Sequence, residues 1–184
     1  MRVALAIHNQ SAHHIRQAVL RAWVTISAPT IVLLVPRQKE VTMTAKTILD
    51  EKGRDVFTVG PDITVSEVGK QLTKHKIGAI VVVDAADRIC GIVSERDIVR
   101  AIANGGPAIL DDKVSSVMTS NVKVCDESYS VNKLMEVMTE GRFRHMPVEK
   151  DGKIGGIISI GDVVRARIEQ VEREAEEIKA YIAS

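Results

Sequence analysis

Two short passages hold the residues best suited to chemistry. Ser94-x-x-Asp97 and Ser159-x-x-Asp162 each follow an apolar run and precede a second apolar stretch. At the start of a helix this spacing has two uses. A serine N-cap with an aspartate three residues on satisfies free backbone N–H groups, each cap contributing about 1 kcal/mol. The same helix end presents N–H donors and the positive pole of its dipole, which suit a phosphate. The serine hydroxyl adds a donor, and the carboxylate can accept hydrogen bonds from a ribose diol. Capping alone accounts for both motifs; nucleotide recognition would use the same geometry.

Upstream of each motif lies a second candidate group. Gly78-Ala79 leaves room beside the backbone for a flat ring, walled by Ile77, Ile80 and Val81. The matching place downstream reads Arg142-Phe143-Arg144-His145. In an extended segment Arg142 and Arg144 share one side, which favours joint contact with an anion over a solvated loop. His145 has the character of a hydrogen-bonded core residue more than of a switch. Arg96, inside the first motif, can reach the same phosphate; its counterpart, Gly161, cannot. The two sites are therefore expected to differ in affinity or in ligand.

The elements that must position these residues are themselves repeated. Val56-Phe57-Thr58-Val59 matches Val122-Lys123-Val124-Cys125, and Thr64-Val65-Ser66 matches Ser130-Val131-Asn132. Lys76-Ile77-Gly78-Ala79-Ile80-Val81-Val82 matches Arg142 to Val148, and Ile89 to Ala101 matches Ile154 to Ala166. Such self-similarity sets the architecture before any single residue does. The first copy reads as a strand at Val56–Val59, a helix capped by Thr64 with Glu67 closing a capping box, a buried strand over Ala79–Val83, a turn, a strand over Ile89–Val93 and a helix from Ser94. Asn104-Gly105-Gly106-Pro107 stops that helix. The second copy has a strand at Lys123–Cys125, a helix over Val131–Thr139 capped by Ser130, and a hairpin of His145–Glu149 with Ile154–Ile158 about Asp151-Gly152. Pro147 inside a strand demands an edge or a bulge. The order is β-α-β-β-α twice. The first unit spans 43–105, a linker 106–113 and the second unit 114–184.

The last helix outlasts its counterpart. Val164, Ile168, Val171, Ala175, Ile178 and Ile182 form a heptad seam. It either lies back on its own domain or pairs with the same helix of another subunit.

Composition narrows the function. The chain has 184 residues, one Trp, two Tyr and two Phe, too few aromatics for a base-stacking nucleic-acid surface. Its formal charge is +1, so bulk charge does not point to a polyanion partner. Cys90 and Cys125 fall in strands and form no CxxC, which reads as two reduced structural thiols. There is no Ser-His-Asp set, no metal cluster and no Walker loop, so neither an enzyme nor a metalloprotein is expected. Residues 1–42 match neither copy and carry five basic residues against one acid, Glu40. Their longest apolar stretch is too short to span a bilayer. They read as a wrongly chosen start ahead of Met43 or as a targeting segment, and weak order is expected there. His8, His13 and His14 lack the further ligands a metal needs.

The doubled β-α-β-β-α unit, the Gly-h-h-Ser-x-x-Asp ends and Arg-Phe-Arg-His-Met-Pro-Val resemble a tandem pair of cystathionine β-synthase (CBS) domains over about Thr44 to Ala183, of the stand-alone bacterial or organellar type. The resemblance implies an α/β fold of two units packed about a pseudo-twofold axis, with two clefts for adenosine-containing ligands: AMP, ADP, ATP, NADH or S-adenosylmethionine. It implies ribose contacts at Asp97 and Asp162 and phosphate contacts at Ser94 and Ser159. It places adenine near Thr58 with Lys76, Ile77, Gly78, Ala79 and Ile80, and near Val124 with Phe143, Arg144, His145, Met146 and Pro147. Arg96 and Arg142 complete the expected set. It further implies a cytoplasmic or organellar homodimer that regulates a separate enzyme or transporter. A ligand-independent assembly module is the competing expectation.

Overall fold

The computed structural model describes residues 43–183. The readings made of residues 1–42 lie outside that span.

Helix α1 (Ala45–Lys52) opens the described chain. The first copy then supplies β1 (Thr58–Val59), α2 (Val65–His75), β2 (Ala79–Val83), β3 (Ile89–Ser94) and α3 (Glu95–Gly105). Two 3₁₀ turns, Pro107–Asp111 and Val114–Ser116, lead into the second copy: α4 (Val131–Gly141), β4 (His145–Lys150), β5 (Lys153–Ser159) and the long α5 (Ile160–Ala183). β1 runs parallel to β2, and β2 antiparallel to β3. β4 and β5 form the second hairpin. Asp151 and Gly152 both take positive φ in its turn, the twist a two-residue hairpin needs.

Local signals explain most boundaries. Thr64 accepts the Glu67 N–H at 3.2 Å, as expected of an N-cap. The side chain of Glu67 instead takes bonds from Lys70 and Gln71, so the reciprocal half of that capping box is replaced by helix-surface pairs. β2 is buried along its whole length, which accounts for its unbroken run of apolar residues.

The expected strand at Lys123–Cys125 contracts to one parallel bridge between Cys125 and Val148. In the first copy the neighbouring pair is Thr58 with Val81. Its counterpart pairs Val124 with Pro147, which has no N–H to offer, so the ladder stops one residue short. Pro147 still accepts from Cys125 N at 3.1 Å. The bulge expected beside Pro147 occurs between Val148 and Glu149, but an equivalent shift lies between Val82 and Val83. The bulge belongs to the fold, and proline's own effect is the lost ladder bond.

The two cores cross the boundary between the copies. Met43, Ala45, Ile48 and Leu49 are buried with Leu134, Met138, Met146, Ile158 and Val163 of the second copy. In exchange, Val114 is fully buried among Val68, Leu72, Ile80, Val82 and Val93 of the first, with Val117 and Met118 packed against them. Backbone bonds mirror this: Val131 N donates to Met43 O and Val65 N to Asp112 O, each at 2.9 Å. Two glycines in matching places make the exchange possible. A Cβ on Gly156 would stand 2.7 Å from Leu49, and one on Gly91 would overlap Met118. Each copy is thus completed by the segment that precedes the other, about a pseudo-twofold axis.

Candidate functional site

Both Ser-x-x-Asp motifs sit where β3 meets α3 and where β5 meets α5. The extended strand carries the serine, and the first helical turn carries the aspartate back toward it. Ser94 donates to Asp97 Oδ2 from its N–H at 2.9 Å and from Oγ at 2.6 Å. Ser159 does the same to Asp162 at 2.8 and 2.7 Å, and Asp162 N returns a bond to Ser159 Oγ at 3.2 Å. Both motifs cap their helices. The first N–H of each helix is also used: Glu95 N donates to Gly78 O and Ile160 N to Arg144 O. That leaves less of the helix end for an anion than the sequence suggests.

The motifs line two clefts, and each cleft mixes the copies. In the first, of about 340 Å³, Ser94, Arg96 and Asp97 of the first copy face Lys123, Arg142, Phe143, Arg144 and His145 of the second. In the other, of about 320 Å³, Ser159 and Asp162 of the second copy face Phe57, Lys76, Ile77, Gly78 and Ala79 of the first. Both volumes fall in the range of small-molecule sites. The residues suggested by sequence do converge, but across the repeat. Arg96 reaches over the first cleft and donates to Arg142 O at 3.3 Å.

Charge separates the two. Among the described residues of the first cleft, Arg96, Arg100, Lys123, Arg142 and Arg144 surround one carboxylate, Asp97. The second balances Lys52 and Lys76 against Asp55 and Asp162, beside apolar Val56, Phe57, Ile77 and Ile157. Lys52 donates to Asp162 Oδ2 at 2.7 Å, so all three side-chain and backbone donors to Asp162 meet one oxygen. Burial pushes the Asp162 carboxyl up, yet the bonds from Lys52 and Ser159 outweigh it and hold the group below its ordinary value.

Lys76 and Arg142 occupy equivalent helix C-caps, with φ of 53° and 54°. This left-handed turn redirects the chain from helix into strand at the cleft, a conformation that glycine would take without strain. Gly78 lines the second cleft, but on the side where a Cβ would stand it abuts a neighbouring ring. That ring is His145, with Cε1 3.1 Å from the Cβ position. Ala79 and His145 line both clefts and form their common wall.

Several sequence candidates lie elsewhere. Ile80 and Met146 are core residues, and Pro147 is buried within β4. Strand alternation turns Ile80 and Met146 into the cores, whereas Pro147, the next residue of β4, points to the opposite face and is buried there. Thr58 is exposed and Val124 half-buried, and neither lines a cleft. Sequence reasoning missed Lys52, Asp55, Val56 and Phe57 on one side and Arg100, Thr119, Asn121, Val122 and Lys123 on the other. Val56-Phe57 and Val122-Lys123 are repeat partners, so the repeat contained that signal. Lys52 reaches Asp162 only because α1 crosses to the other copy.

Burial, with Arg144 and Lys52 nearby, holds His145 below its ordinary value despite Asp162 and Glu95. Below about pH 6.5 the unfolded chain takes up a proton that the folded one resists. Stability is expected to fall as pH drops through 6.5, and to level off once His145 itself is protonated. His145→Gln should flatten urea midpoints measured between pH 7.5 and 5.5. A slope unchanged by that substitution would assign the effect to other groups. Loss of the Asp162 contribution follows only below about pH 4.

Among the described residues no group of His, Cys, Asp and Glu could hold a metal, and no helix is long and apolar enough to cross a membrane.

A family model described as the CBS domain matches residues 48–104 and 114–169. An uncharacterized 17.7 kDa protein of Acidianus ambivalens is 38% identical over 129 residues, covering 67% of this chain and 77% of that one. The mitochondrial CBS domain-containing protein CBSX3 of Arabidopsis thaliana is 38% identical over 125 residues, or 66% of this chain; the match spans 61% of that protein. The crystal structure of the CBS-domain containing protein ATU1752 from Agrobacterium tumefaciens superimposes with a TM-score of 0.66 and 53% identity, covering 68% of this chain and 94% of that one. The CBS domain pair of protein MJ0100, in complex with 5′-methylthioadenosine and S-adenosyl-L-methionine, gives a TM-score of 0.63 at 25% identity over 70% of this chain and 98% of that one. The family match falls on both repeats, and the solved CBS-domain structures share the fold: the chain belongs to the CBS-domain family, with two copies in tandem.

Proposed function

We propose that the chain is a regulatory module that binds an adenosine-containing ligand and signals its occupancy to a separate enzyme or transporter. The carrying observation is the pair of mixed clefts, each setting a capped serine and aspartate against the strand start of the other copy. The ligands of MJ0100 share the adenosine unit. In this reading the second oxygens of Asp97 and Asp162 take the ribose hydroxyls, and a regulatory rather than catalytic role follows. The cationic cleft suits AMP, ADP, ATP or NADH, because its five basic side chains match a phosphate chain. The charge-balanced cleft suits a nucleoside without phosphate, such as S-adenosylmethionine. The module acts as a homodimer. Cytoplasm is the proposed compartment, with the organelle matrix supported by the mitochondrial relative.

A second reading has its own support. Both aspartates already accept two bonds from their serines, so the motifs are complete as caps with nothing bound. Isothermal titration with ATP and S-adenosylmethionine separates the two. Binding of neither at millimolar concentration leaves a ligand-independent assembly module. The variant Arg142→Gly sharpens the test, since it removes a cleft cation and relieves a left-handed non-glycine residue. ATP affinity is expected to drop about 10-fold. The urea midpoint should hold or rise, with stability changed by no more than about 1 kcal/mol. Lower stability with unchanged affinity would reverse the assignment.

A further inference from the structure

The apolar seam of α5 faces away from the body of the domain. Val163 and Ala166 are the buried residues of this helix. Arg173, on the same side, donates to the Met43 sulfur. Val164, Ile168, Val171, Ala175, Ile178 and Ile182 lie on the opposite side, half a helical turn around. Ile168 is 53% exposed, Ile178 61% and Ile182 78%. Six apolar positions at spacings of four and three, left exposed among the described residues, form a docking face.

The charges beside the seam decide what covers it. An anionic membrane would want a basic border, but the stretch from Arg165 to Lys179 carries five glutamates against four basic residues. A second copy fits in one orientation. Taking Ile168, Ala175 and Ile182 as a positions and Val164, Val171 and Ile178 as d, the g flank carries Arg167 and Glu174. The e flank carries Arg165, Glu172 and Lys179. In a parallel, in-register pair each g residue meets the e residue five positions on in the other chain. Arg167 then meets Glu172, and Glu174 meets Lys179, with opposite signs on both sides of the seam. In the fully overlapped antiparallel pair, Glu172 meets Glu172, Glu174 meets Glu174 and Arg165 meets Lys179, all of like sign. Ala175 at the middle a position lets two helices approach closely, whereas three would enclose a void there.

We propose that two copies of this chain join through a parallel, in-register coiled coil of α5, with Arg167–Glu172 and Glu174–Lys179 pairs fixing its direction. This locates the dimer invoked above but does not depend on the ligand, so it is read without nucleotide. Sedimentation equilibrium of the full chain should give twice the monomer mass. Ile178→Asp should reduce it to one chain, with the urea midpoint of the domain retained because Ile178 is exposed. Arg167→Glu should raise the dimer dissociation constant about 10-fold, and the double variant Arg167→Glu/Glu172→Arg should return it to within about 3-fold of the starting value. Failure of the double variant to restore pairing overturns the parallel arrangement. A mass unaffected by Ile178→Asp, or a wild-type mass of one or three chains, overturns the coil itself.

Discussion

Leu49→Ala is expected to destabilise the protein by about 2–5 kcal/mol, and to do so in the second copy, not in the one that contains it by sequence. Leu49 is 1% exposed and packs among Leu134, Met138, Met146 and Ile158. Its two methyl groups occupy the space that Gly156 vacates, each 2.7 Å from where a Cβ would stand. Truncation removes their transfer free energy and leaves a cavity that a glycine cannot fill. Urea unfolding measures the size of the loss, and thiol labelling gives its location. Cys125 lies in the same core, and burial pushes its thiol up to about 12. Its labelling should accelerate in the variant well before that of Cys90 changes. Equal acceleration at both thiols would mean that the two cores open together.

The second large effect is on binding. Asp97→Ala should weaken ATP by about 10- to 100-fold, the loss expected when hydrogen bonds to a charged group worth roughly 1.5–3 kcal/mol are removed. Asp97 is the one acid among the described residues of its cleft, with Arg100 3.3 Å from Oδ1. Deleting it raises the local positive charge, so a purely electrostatic site would bind ATP more tightly after the change. A ribose contact predicts the reverse, and titration of wild type and variant at one ionic strength decides between them. The cap is lost as well, so the variant should also unfold about 1 kcal/mol more easily. That shift, with affinity unchanged, is the signature of Asp97 as a cap alone.

Local physics made much of this legible. The buried β2, the caps at Thr64 and Ser130, the glycine stop after α3 and the Asp151-Gly152 turn are set by residues within a few positions of each other. The repeat then supplied the pairing of elements. The long-range exchange was not legible, since no local pattern shows that α1 must leave its own copy. The amphipathic spacing of Ile48 and Leu49 would be satisfied by either core. Gly91 and Gly156 stood in plain view within the repeat, but their partners Met118 and Leu49 lie outside the matched segments. For the same reason the repeat brings Ala79 of the same copy to the cleft of Ser94 and Asp97 but does not show that Arg142 to Arg144 of the other copy form its far side. The inward turn of Ile80 and Met146 is not legible either, because a strand start shows which residues are near an opening but not which way alternate side chains turn.

The crossing of the copies limits how ligand preference can be moved between relatives. Transplanting a whole repeat from another protein would import half of each recognition surface and leave two hybrids. A transferable cassette is instead discontinuous: Ser94 to Arg100 together with Thr119 to Arg144 for one specificity, and Lys52 to Gly78 with Ile157 to Asp162 for the other, with the shared wall of Ala79 and His145 left in place. Chimeras cut at the linker should scramble selectivity, and those exchanged by cassette should carry it intact.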